Sequence, residues 1–62
     1  MKEIKVRIPI SLSNYIKRLA ANNDLKLEEA ENEIAYTYRP EFGVKYNYIF
    51  DTDNDTIIYY ID

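Results

Sequence analysis

A chain of 62 residues without a single cysteine must hold itself together by packing alone. A domain of this size hides only about 60% of the surface its unfolded chain exposes, and the disulfides and thiolate metal sites that rescue many small folds are closed to it. One domain of marginal stability is expected, with oligomerisation as the remaining support. An apolar fraction of 47% with one glycine and two prolines argues against disorder. No apolar run approaches the ~20 residues of a membrane span, and the N-terminus lacks a charged-then-apolar signal pattern. A soluble, cytoplasmic domain is the expectation.

Residues 3–10 alternate, with Ile4, Val6, Ile8 and Ile10 on one side and Glu3, Lys5, Arg7 and Pro9 on the other, which predicts a half-buried strand. Pro9 cannot donate to a ladder, so the strand ends there or lies at an edge. Ser11 or Ser13 is then placed to cap a helix over about residues 12–22, whose apolar stripe is Leu12, Ile16, Leu19 and Ala20. Asn22, Asn23 and Asp24 tolerate the left-handed conformation that ends a helix.

The next segment is ambiguous. Leu27, Ala30 and Ile34 share a helical face, whereas Ile34, Tyr36 and Tyr38 alternate as a strand. The reading adopted is a short helix passing into a strand near Glu33, then a turn at Arg39-Pro40-Glu41-Phe42-Gly43 and a second strand from Val44 to Phe50. Asp51 to Asp55 form another turn. The last strand, residues 56–61, is apolar on both faces, as for a central strand or an interface. The class is α+β: strand, helix, short helix and a three-stranded antiparallel meander, with the helices on one face of the sheet.

Charge divides the chain. Residues 1–23 carry +4, whereas residues 24–62 carry −7 and hold six of the seven tyrosines. Common nucleophile chemistry is closed, because there is no histidine or cysteine and one glycine cannot build a phosphate-cradling loop. A carboxylate pair such as Glu28 and Glu31 needs a pocket to separate its pKa values, and so short a chain is expected to lack a pocket of ~300 Å³. A non-enzymatic role without cofactors follows.

Two local resemblances bear on function. Asp51-Thr52-Asp53-Asn54-Asp55 resembles the first half of an EF-hand calcium loop, with Asp51, Asp53 and Asp55 at the first ligand positions, Ile57 at the backbone-carbonyl position and Asp62 at the last. Thr56 stands where that family needs glycine, and the last carboxylate is a short Asp. The reading preferred is a polar hairpin loop without metal. Residues 3–35 resemble the ribbon-helix-helix DNA-binding repressors in their order of elements. That resemblance implies a dimer reading a DNA groove with Glu3, Lys5 and Arg7. Glu28, Glu29, Glu31 and Glu33 depart from it, since they repel phosphate.

The leading expectation is therefore a protein-interaction module. Its carboxylates Glu28, Glu29, Glu31 and Glu33 steer it to a basic, nucleic-acid-binding surface of a partner, and Tyr46, Tyr48, Tyr59 and Tyr60 supply contact area. In type this resembles the small acidic inhibitors carried by phages and mobile elements. The alternative is the dimeric DNA-binding regulator.

Overall fold

The computed structural model describes residues 2–61. Strand β1 (Lys2–Arg7) leads into helices α1 (Ile10–Ala21) and α2 (Leu27–Tyr38), followed by β2 (Asn47–Asp51), a 3₁₀ turn (Thr52–Asn54) and β3 (Thr56–Ile61). The three strands form one antiparallel sheet in the order β1-β3-β2. The α+β class therefore stands, and β3, apolar on both faces, is the central strand.

Pro9 does what its chemistry demands. Ile8 still donates to the Asp55 carbonyl at 2.9 Å, but Pro9 cannot continue the ladder. Its carbonyl instead accepts from Leu12 and Ser13, so Pro9 itself occupies the cap of α1 and neither Ser11 nor Ser13 caps it. Helix α1 thus starts two residues earlier than the serines suggest. Ile10, expected on the buried side of a strand, lies in the first turn of the helix and is exposed. At the other end Asn23 takes φ +49°, and Asp24 donates its amide to the Leu19 carbonyl. The Asp24 carboxylate accepts from the Lys26 amide at 2.9 Å, so one residue closes α1 and opens α2.

The main correction concerns residues 34–38, which continue α2 and form no strand. Ala30, Ile34, Ala35 and Tyr38 turn inward together at helical spacing, whereas Tyr36 and Thr37 face solvent. Helix α2 stops where Pro40 forces Arg39 to φ −55°, ψ 142°. Residues 44–46 are likewise outside the sheet, so β2 begins at Asn47 rather than Val44.

Register sorts the side chains. Ile4, Tyr59 and Tyr48 form one inward row, and Val6, Ile57 and Phe50 the next. Both helices pack on this inner face. Ile8, Ala35, Ile57 and Tyr59 make one buried cluster and Ile16, Leu19 and Ala30 another, with Ile34 and Phe50 touching both. The outer face carries Glu3, Lys5 and Arg7 on β1, Ile58 and Tyr60 on β3, and Asn47 and Ile49 on β2, with Ile49 55% exposed.

Ser13 is fully buried in α1, and among the described residues its Oγ has no hydrogen-bond partner. Removing such a hydroxyl removes a desolvation cost and improves helix propensity. Ser13→Ala should therefore stabilise the fold by about 1 kcal/mol in equilibrium urea unfolding; a loss of stability would show that the hydroxyl is satisfied by bound water.

Candidate functional site

The four carboxylates of α2 do not form one array. At about 100° per residue, Glu28, Glu29, Glu31 and Glu33 spread over roughly 200° of the helix circumference. Glu28, Glu29 and Glu33 are exposed, and Glu31 is half-buried. Glu33 borders a shallow groove with Leu12 of α1. On the opposite flank Glu31 approaches Tyr48, and its carboxyl is held above the usual carboxylate range, first by burial and then by Glu28. Burial, with Glu31 and Glu28 beside it, raises the Tyr48 phenol in turn. Glu28 and Glu29 also sit in the first turn of α2, where negative charge complements the helix dipole. Part of the acidic run is thus explained by helix stability alone.

The tyrosines divide three ways. Tyr60 points to the outer face of the sheet. Tyr59, expected in a contact surface, is only 1% exposed, and its hydroxyl donates to the Ala35 carbonyl at 2.6 Å. It is a core residue that ties β3 to α2. Tyr46 and Tyr48 remain half-buried on the inner face, edge-on to Tyr59 at 5.6 Å and tilted against it at 6.5 Å.

Around these rings lies a cleft of about 420 Å³. The expectation that so short a chain has no room for a ligand pocket fails. The continued α2 is the reason: its last two turns and the 39–46 segment stand beside the sheet end, so the cleft opens between them. Its polar lining comes from Asn32, Arg39 and Lys45, and no carboxylate lines it. Tyr48 donates its hydroxyl to the Asn32 carbonyl oxygen. The Arg39 guanidinium lies over the rings of Tyr36 and Phe42, 3.8 and 4.3 Å from their centroids, and donates to the Tyr36 carbonyl. Gly43 turns the segment with φ +79°.

In the sequence Arg39 and Phe42 stand only as parts of a turn, and nothing in the local pattern singles out Asn32 or Leu25. Phe42 is 81% exposed, Tyr36 67%, and Leu25 is also exposed between the helices. An aromatic inside a Pro/Gly turn was the available signal.

The Asp51–Asp55 loop is engaged internally. The Asn54 amide donates to the Asp51 carboxylate at 2.9 Å, Thr56 donates its hydroxyl to the Asn54 carbonyl, and Lys17 pairs with Asp53 at 3.4 Å. Among the described residues no three carboxylates are placed to hold a metal ion. Asp62, the last position of the calcium-loop resemblance, lies outside them. No helix among the described residues is long and apolar enough to cross a membrane.

Comparison with family models, with curated proteins and with solved structures returns no match. The functional reading therefore rests on the geometry alone.

Burial, with Tyr48 close by, pushes the Tyr59 phenol up to about 12, and Arg39 offsets only part of this. An unfolded tyrosine ionises near pH 10, so between about pH 10 and 12 the folded chain keeps a proton that the unfolded chain has lost. The stabilisation is complete below that window and falls as pH rises through it. Urea unfolding at pH 9 and pH 11.5 should show this fall, and Tyr59→Phe should remove most of it. An equal fall in the variant would assign the effect to other groups.

Proposed function

We propose that the chain is a non-enzymatic interaction module of the cytoplasm, and that it docks through the outward side of α2 and the segment after it onto a basic surface of a partner protein. One observation carries the reading. Tyr36 and Phe42, both largely exposed, stack on Arg39 at the end of an exposed helix face bearing Glu28, Glu29 and Glu33. Exposed Tyr, Phe and Arg are the residues that dominate binding hot spots, and holding them stacked before contact lowers the entropy lost on docking. Neither Tyr36 nor Phe42 belongs to a buried cluster of the fold. The carboxylates beside them supply steering, and Leu25 adds an apolar contact at the other end of the helix.

Inhibition of a nucleic-acid-binding partner follows if its basic surface is also its phosphate-binding surface. Affinity capture from host lysate, identified by mass spectrometry, should yield a basic protein that duplex DNA displaces. Replacing Glu28, Glu29 and Glu33 together by Lys should weaken that capture at least tenfold, and Phe42→Ala should weaken it without a change in salt dependence. Equal capture by the charge-reversed chain would sink the proposal.

A second reading is favoured by the outer face of the sheet. Lys5 and Arg7 are exposed there opposite Ile58 and Thr56 of β3, the helices pack on the other face, and among the described residues the far edge of β1 is unpaired. A homodimer joined through β1 would present two such strands to a DNA groove. Fluorescence anisotropy with generic duplex DNA across a salt series, with light scattering for mass, tests this. Salt-sensitive binding at ~10⁻⁴ to 10⁻⁶ M by a dimer, abolished by Lys5→Ala with Arg7→Ala, would support it; no binding at low salt would remove it.

A further inference from the structure

The cleft beside α2 has a chemistry different from that of the surface around it. The second half of the chain is strongly acidic, yet this cleft is lined by two cations, one amide, four tyrosines and the small residues Ala35, Gly43 and Val44, with no carboxylate. Its volume of about 420 Å³ falls in the range of small-ligand sites. These groups also converge from three separate parts of the chain: Asn32 and Arg39 from α2 and its end, Lys45 from the segment that follows, and Tyr46 and Tyr48 from the approach to and start of β2.

Each polar group is left with a donor to offer. Asn32 accepts from the Tyr48 hydroxyl through its carbonyl oxygen, which leaves its amide nitrogen as a donor; among the described residues that nitrogen has no partner. Arg39 is held by stacking on Tyr36 and Phe42 and by its bond to the Tyr36 carbonyl. Stacking engages the planar face of a guanidinium and leaves N–H groups at its edge, the geometry that grips phosphate or carboxylate with two parallel bonds. Lys45 is exposed and forms no ion pair among the described residues. A ligand that satisfies all three carries an anionic group for Arg39 and Lys45, a flat ring to lie against the tyrosines, and a hydrogen-bond acceptor on that ring for Asn32. A plain phenyl ring lacks the last.

We propose that this cleft binds a nucleotide unit, with its base against Tyr46 and Tyr48, its ring edge read by Asn32, and its phosphate held between Arg39 and Lys45. The unit is either a free nucleoside monophosphate or the end of a single strand. The proposal shares Arg39 with the protein-docking reading but does not rest on it, since it concerns the isolated chain and a small molecule.

The test is a titration of the ¹⁵N-labelled chain with adenosine and uridine 5′-monophosphates, the matching nucleosides, inorganic phosphate and a single-stranded tetranucleotide, followed by NMR. A monophosphate should bind with submillimolar Kd and shift the amides of Asn32, Lys45, Tyr46 and Tyr48, and the nucleoside should bind at least tenfold more weakly. Arg39→Ala risks the end of α2, so Lys45→Ala is the primary variant; it should weaken the monophosphate about tenfold and leave the nucleoside unchanged. Asn32→Ala should weaken the monophosphates and the nucleosides alike, since both lose the bond to a ring acceptor. Tighter binding of the tetranucleotide identifies a strand end as the source, and equal binding identifies the free nucleotide. Shifts mapping to Lys5 and Arg7, an unchanged affinity in Lys45→Ala, or no shift at millimolar monophosphate would each overturn the proposal.

Discussion

The hydrogen bond from the Tyr59 hydroxyl to the Ala35 carbonyl joins the centre of the sheet to α2 through the middle of the core. The larger of the two buried clusters is arranged around that contact. Ile57, two residues earlier on β3, fills the neighbouring place between β1, β2 and the helices, and Phe50 and Ile34 extend the packing to α1. The Tyr59 ring is the surface on which Tyr46 and Tyr48 rest. A small core must use each large side chain more than once, and here one tyrosine supplies apolar bulk, a partner for a buried polar group, and the floor of a cleft.

Much of this was legible in the chain. The alternation of Ile4 and Val6, the stripe of Ile16 and Leu19, and the two-sided apolar run of β3 each specify one element with one orientation. The misreading fell where two periods overlap. Ile34, Tyr36 and Tyr38 alternate as a strand does, yet Ile34 and Tyr38 are also four apart, and the same Arg39-Pro40 break ends either element. Ala35 decides the matter, because its small side chain lets α2 approach the sheet closely enough for Tyr59 to reach its carbonyl. That decision belongs to packing between residues 24 positions apart, where local pattern carries no information. The cleft was illegible for the same reason, since it exists only because α2 runs on past Glu33.

Net charge is likewise coarser than the local lining. The sum over residues 24–62 describes the long-range field that a partner meets first, and it is acidic. It says nothing about the few ångströms around Arg39 and Lys45, where the lining is cationic and aromatic. Steering and recognition act at different ranges, and one small chain can present opposite signs for the two.

The strand order carries a kinetic consequence. β2 and β3 meet across a tight turn, but β1 pairs with β3 only after roughly fifty intervening residues have been brought round, Arg7 lying opposite Thr56. Closing so long a loop loses entropy before any contact repays it. The hairpin can form first as a local event, and the joining of β1 to its central strand then sets the pace. Residues on the β1–β3 seam, such as Val6 and Ile57, should thus govern how fast the chain folds, while the aromatic cleft takes shape with the docking of α2.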